Sequence, residues 1–123
     1  DEIDVGCMIE VPAAALIASE LAKVSDFFSI GSNDLVQYSL AVDRTDDHVS
    51  PWYDVSHPAV VQLIEMTARA AQDQCIPISV CGELAANASW LNTFLRLGIT
   101  SLSVSPRHIL PLRKQLHQLQ ALS

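Results

Sequence analysis

The chain has 123 residues, half of them hydrophobic and only 17% charged, with seven Lys and Arg against fourteen Asp and Glu for a net charge of −7. That size suits one domain, and the acidic balance argues against non-specific nucleic-acid binding, which needs a basic surface to neutralise phosphates. No apolar run reaches the roughly 18 residues of a membrane span, and no basic stretch ahead of an apolar run marks a signal peptide.

The high apolar fraction predicts strands covered on both faces, as in parallel α/β sheets. Val5–Val11 reads as a buried strand. Pro12 then suits the first turn of a helix, where its missing N–H costs nothing. Ala13–Val24 places Leu16, Ile17, Leu21 and Val24 on one apolar face at helical spacing. Asp26–Ile30 is a second strand, and Gly31-Ser32-Asn33-Asp34 is a turn with Ser32 or Asn33 as N-cap of a helix running to about Val42. Asp43–His57 is polar, carries Pro51 and is the longest loop, a functional or mobile segment. Pro58 opens a helix with Val61, Ile64, Ala68 and Ala71 facing a core. Ile76–Val80 is a third strand, with Cys81-Gly82-Glu83 as the turn after it. Asn87 or Ser89 caps a helix ending at Leu97, and Gly98 closes it before a fourth strand, Thr100–Ser105. A last helix runs from Pro106 to about Leu119.

These are consecutive βα units without hairpin signals, which predicts parallel strands joined by right-handed crossovers. Two architectures fit: a small open doubly wound sheet, or half of a (β/α)₈ barrel of about 250 residues. Both bind ligands at the C-terminal ends of the strands. There the sequence places Glu10, Ser32-Asn33-Asp34, Cys81 with Glu83, and Ser103 or Ser105.

Glu10 and Asp34 each read as a cap or solvated acid when taken alone. As a pair rising from adjacent strand ends they suit magnesium, which takes one or two carboxylates and fills its other positions with water and substrate oxygens. No His or Cys joins them at zinc or iron spacing. The turn at 31–34 is either a plain cap or an anion site made of backbone N–H groups at a helix start. Cys81 is either a buried small hydrophobe or a neutral thiol placed to protonate an enolate carbon. Cys7 and Cys75 read as packing, and all three cysteines as reduced thiols of a cytoplasmic protein. Arg44 pairs either with Asp43 or Asp46, or grips a carboxylate or phosphate in bidentate fashion. The histidines at 48, 57, 108 and 117 lie off the strand ends, and Ser103 and Ser105 lack a nearby base.

The run I-G-S-N-D-L-V-Q-Y-S-L-A-V-D-R (30–44) resembles the phosphoenolpyruvate (PEP)-binding segment of enzyme I of the bacterial phosphotransferase system. M-I-E-V-P-A-A (8–14), Y-D-V-S-H-P-A-V (53–60) and C-G-E-L-A (81–85) resemble further signatures of that family in the same order. Pyruvate phosphate dikinase and PEP synthase share the N-D-L and C-G-E motifs, whereas A-V-D-R favours enzyme I or its nitrogen-related paralogue. The resemblance implies strands five to eight of a (β/α)₈ barrel. It implies Glu10 and Asp34 as magnesium ligands, Asn33 and Arg44 on the PEP phosphate, Cys81 as the acid that yields pyruvate, and Gly82 with nearby backbone as substrate contacts. It further implies transfer to a histidine on a separate domain, onward passage to a small phosphocarrier protein, and a dimer formed through this region. Ala86-Asn87 stands where the family has Gly-Asp, and Val36 where it has threonine. A lone half barrel leaves two open edges and an exposed inner face, so self-association or origin from a longer protein is expected, with no phosphotransfer by the chain alone. The alternatives are a dikinase-type domain and a non-catalytic dimerisation or regulatory module.

Overall fold

The computed structural model describes residues 3–121. Four strands, β1 (Cys7–Ile9), β2 (Phe28–Gly31), β3 (Ile78–Cys81) and β4 (Ser101–Leu102), form one parallel sheet in strictly sequential order. The register sets Met8 beside Ser29, Ser29 beside Ser79, and Ser79 beside Ser101. The next row on the same face brings Gly31 beside Cys81. The strands are shorter than their apolar runs suggest, although single bonds extend the pairing, as from Ser103 N–H to the Val80 carbonyl at 2.8 Å.

Side chains alternate across a strand, and here the two faces differ sharply. Ile9, Phe28, Ile30, Ile78 and Val80 are buried against Ile64, Ala68, Leu84 and Phe94. Each contributes about 1.5–3 kcal/mol relative to exposure. On the other face Met8 and Ser101 are exposed, and Ser29 and Ser79 are half-buried. One face is a core, and the other is a row of three serines flanked by Met8 that is open to water in this chain.

Crossing segments supply the helices α1 (Pro12–Leu16), α2 (Ala18–Ala22), α3 (Ser32–Leu40), α4 (Pro58–Asp73), α5 (Leu91–Arg96) and α6 (Ile109–Ala121). The first crossing corrects the sequence reading. Ile17 leaves helical geometry at φ −108°, ψ 20°, splitting the expected helix and resetting its phase. Ala15, Ala18 and Ala22 are then the buried residues, while Leu16, Ile17 and Val24 are exposed. Small side chains let α1 and α2 lie close against α4, a fit that a leucine face would prevent. Along α4, Ile64, Ala68 and Ala71 are buried as expected and Val61 is half-buried, while Val60 and Thr67 are also buried. His57 caps α4 by accepting from the Ala59 N–H through Nδ1 at 3.1 Å.

Helix ends elsewhere follow local chemistry. Neither Ser32 nor Asn33 caps α3; Gly31 occupies the cap position, and both side chains bond elsewhere. Ala41 takes the left-handed conformation at φ 52°, and the Val42 N–H returns to the Gln37 carbonyl at 3.1 Å. That closure ends the helix two residues early and turns the chain back toward the rim. Gly98, at φ 71°, closes α5, where the Gln72 side chain also donates to the Leu97 carbonyl at 2.6 Å. Asn87 caps the short turn Ala88–Trp90 that leads into α5. Cys7 is half-buried as expected, but Cys75 is exposed and so is not a packing residue.

Candidate functional site

The C-terminal ends of β2 and β3 are joined by side chains rather than by packing alone. The Ser32 hydroxyl donates to the Cys81 carbonyl at 2.7 Å and accepts from the Leu84 N–H at 3.4 Å. Asn33 Oδ1 accepts from the Glu83 N–H at 2.9 Å. Two consecutive residues of one helix start thus hold the loop after the neighbouring strand. This arrangement leaves the Asn33 amide nitrogen free of that bond, with its two donors available to an anion.

Gly82 makes the close approach possible. Its φ of 85° and ψ of −169° lie in a region essentially reserved for glycine. A Cβ there would fall 2.6 Å from Ser32 Oγ and 2.8 Å from Asn33 Oδ1. Gly31 serves the other flank, since a Cβ on it would sit 2.9 Å from Glu10 Cβ and 3.0 Å from Glu10 Oε2. The missing side chain lets the Glu10 carboxylate lie over the end of β2, from which Asp34 follows in the first turn of α3. Both acids are half-buried.

Cys81 ends β3 with its side chain on the open, polar face. Its thiol donates to the Ile30 carbonyl at 3.4 Å, and the Ser29 hydroxyl lies 3.9 Å from the sulfur. The thiol is half-buried and is not enclosed among aliphatics. Cys81, Asn33, Gly82 and Glu83 line a cavity of about 360 Å³ together with Ser103, Ser105 and Arg107. A wider hollow of about 600 Å³ runs beside α4 between Ser56 and Arg69, away from every strand end.

The loop 43–57 folds over the same rim. Its turns are held by side chains: Asp43 accepts from the Thr45 N–H and hydroxyl, Asp46 from the His48 N–H, and Asp54 from the Ser56 N–H, all within 2.7–2.9 Å. The Thr45 hydroxyl and N–H hold the Asp43 carboxyl below its ordinary pKa. Arg44 pairs with neither Asp43 nor Asp46, as one reading of the sequence had it; its Nη1 reaches Glu83 Oε1 at 3.7 Å. The Tyr53 hydroxyl donates to the Asn33 carbonyl at 3.1 Å. Burial, then the Glu83 carboxylate, raises the Tyr53 pKa; Arg44 opposes and Asp34 adds to the rise.

The structure thus brings Asn33, Cys81 and Gly82 into one cavity and sets Arg44 beside it through Glu83. Glu10 and Asp34 lie on the β1–β2 flank rather than in that cavity's lining. Sequence reasoning missed Tyr53 and Arg107. The first sits in a quoted motif but was given no role, and the second lies past the end of the fourth strand. Of the two departures noted above, Val36 is wholly buried, while Ala86 lines the cavity and Asn87 serves as a cap.

In composition the rim offers three carboxylates, an amide donor, a thiol and two guanidiniums. Such a set can hold a hard cation, bind a phosphorylated acid and transfer a proton to carbon. Among the described residues no helix is long and apolar enough to cross a membrane.

Residues 1–121 match the family model described as "PEP-utilising enzyme, PEP-binding domain". The chain is similar to the phosphoenolpyruvate-protein phosphotransferase of Bacillus subtilis (strain 168), 42% identical over 119 residues, covering 97% of this chain and 21% of that protein. It is also similar to the protein of that name from Borreliella burgdorferi, 48% identical over 106 residues, covering 86% of this chain and 18% of the other. The chain therefore spans about a fifth of the length of these relatives. A match over nearly its whole length settles its membership: the chain belongs to the PEP-binding domain family of PEP-utilising enzymes.

Proposed function

We propose that the chain is the PEP-binding and proton-donating part of a phosphoenolpyruvate–protein phosphotransferase, built as the second half of a (β/α)₈ barrel. Sequential strand order supports the barrel reading over a doubly wound sheet, whose order reverses at a switch point. The uncovered polar face supports it too, because that face would look inward. The shared name of the relatives favours a protein acceptor over the dikinase alternative.

The observation that carries the reading is Cys81, half-buried at the end of β3 in a cavity shared with Asn33 and Gly82. In the reaction, the bond from phosphorus to the C2 oxygen of PEP breaks and a bond to a histidine nitrogen on another domain forms. The enolate left behind takes the Cys81 proton at C3, giving pyruvate and a thiolate that solvent reprotonates. The Asn33 amide and Arg44 hold the phosphate, with Glu83 keeping Arg44 beside the rim until the anion competes for it. Glu10 and Asp34 are half-buried hard oxygen donors that follow the ends of adjacent strands, and they would hold magnesium together with substrate and water oxygens. Bound there, the ion supplies positive charge to the phosphate. Gly82 clears the backbone that faces the substrate.

The full assembly includes a phosphohistidine domain, a small phosphocarrier protein and a second copy of the domain in a homodimer. The exposed Leu16, Ile17 and Val24 are apolar groups that such association would cover. To test the reading, this chain is exchanged for the matching fifth of the Bacillus subtilis relative. Calorimetry should then find magnesium-dependent PEP binding, and phosphate should pass from PEP to protein. Binding without turnover would leave a regulatory module instead, and absence of both would remove the PEP assignment.

A further inference from the structure

The loop 43–57 carries Arg44 near its start and Tyr53 toward its end, so the bonds that fix this loop decide where the Arg44 guanidinium can go. Its own turn bonds, Asp43 to Thr45, Asp46 to His48 and Asp54 to Ser56, each span two residues. They shape the loop without attaching it to another element. Two hydrogen bonds attach it to α3: the Arg44 N–H donates to Gln37 Oε1 at 3.3 Å, and the Tyr53 hydroxyl donates to the Asn33 carbonyl at 3.1 Å. Asn33 and Gln37 stand four residues apart, and so are neighbours on one face of that helix. The loop thus has a foot on each of two successive turns of α3. Tyr53 is half-buried there while the adjacent Trp52 is 71% exposed, so the phenol is drawn in and the indole is not. Arg44, Thr45, Ser50, Tyr53 and Glu83 line one hollow of about 410 Å³.

We infer that Tyr53, with Gln37 as its counterpart, is a positioning residue: the two clamp the loop to α3 and so deliver the Arg44 guanidinium to the Asn33 amide. This rests on the PEP reading for what those two groups hold. Arginine carries a long side chain with much rotamer freedom, and an ion pair to Glu83 at 3.7 Å between solvent-exposed groups is too weak to fix it. The bond from the Arg44 N–H to Gln37 instead fixes the point from which that side chain starts, and Tyr53 keeps the loop from swinging away. The Asn33 side chain needs no such help, because the Glu83 N–H already holds its Oδ1 at 2.9 Å. Tyr53 has one hydroxyl proton, and the Asn33 carbonyl takes it. It therefore acts through the loop.

Tyr53→Phe in the exchanged relative described above tests this. KM for PEP should rise roughly two- to tenfold, the size of one hydrogen bond. The kcat should change by less than about twofold, because Arg44 grips the phosphate alike before and during transfer. Gln37→Met, which keeps the length of the side chain and removes the acceptor, should act in the same direction. In an Arg44→Gln background, Tyr53→Phe should have almost no further effect on KM, since the group it positions is gone. A merely structural role would lower the amount of active protein at unchanged KM, or act equally in both backgrounds, and either result would overturn the assignment. Amide hydrogen exchange without PEP gives an independent arm. Residues 44–53 should exchange roughly two- to tenfold faster in Tyr53→Phe while α4 is unchanged; unaltered exchange in the loop would remove the clamp. Absence of PEP turnover in the exchanged protein before any substitution would remove the PEP reading alone, and the exchange result would still decide the clamp.

Discussion

The β2–β3 junction and the β1 flank differ in what holds them. At the junction, Ser32 and Asn33 each bond the facing loop, Tyr53 bonds the Asn33 backbone, and Gly82 is confined to a conformation that other residues rarely take. On the flank, Met8, Val11, Leu16, Ile17 and Val24 stand exposed, and the helix breaks at Ile17. The contrast teaches that the strand-end centre is assembled by this chain's own bonds, whereas the flank holds only its alanine-lined inner side. Residues at the junction should be costly to change, and residues on the flank cheap.

The largest effect should come from Cys81→Ala in the exchanged relative. PEP binding should persist while turnover drops by about 10²–10⁴, the range for a lost general acid; unaltered turnover would remove the thiol from the mechanism. Next is Gly82→Ala in this chain. Backbone strain in a glycine-only region costs on the order of 1–3 kcal/mol, and the added methyl would meet Ser32 Oγ and Asn33 Oδ1. Urea denaturation should show a loss of about 3 kcal/mol. Ser32→Ala should lose about 1–2 kcal/mol, since it leaves the Cys81 carbonyl without that donor.

Tyr53→Phe should cost about 1 kcal/mol near neutrality through the bond to Asn33. It also carries a pH signature. The folded phenol keeps its proton above its ordinary value of 10.0, so the folded state binds more protons than the unfolded chain as pH rises past that point. Its contribution is complete below that pH and declines as pH climbs through the raised value. In Tyr53→Phe that part of the alkaline decline should be absent. Least affected should be the double change Leu16→Ser with Ile17→Ser, whose effect on monomer stability should stay within about 0.5 kcal/mol. Sizing of the two proteins should show weaker self-association in the double variant; a large stability loss would mean that the flank is a core after all.

The order of elements was legible because each boundary is written locally. Pro12 and Pro58 start helices, Gly31 ends β2 where α3 begins, and Gly82 and Gly98 turn the chain at positive φ. The inward face of the first crossing was not, because periodicity weighs large apolar groups. Close helix contact favours small ones, and so Ala15, Ala18 and Ala22 took the core. F-S-I-G and I-S-V-C carry serine at matching register, and reading them as continuous buried runs passed over the polar face that this creates. That Asn33, Cys81 and Gly82 share one cavity was legible because all three follow the ends of neighbouring strands. The partner of Arg44 was not, because Glu83 is far along the chain and meets it only when β2 and β3 lie side by side.

Alkylation of Cys81 by iodoacetamide in the exchanged relative, with and without PEP and magnesium, tests the account at its centre. PEP and magnesium together should slow labelling of Cys81 at least about tenfold, the occupancy expected when ligand exceeds its dissociation constant by that factor. Neither should do so alone, and Glu10→Gln should abolish the protection while Cys75 labels equally throughout. Equal labelling of Cys81 under all conditions, in a protein that binds PEP by calorimetry, would place the substrate away from the thiol and contradict the account.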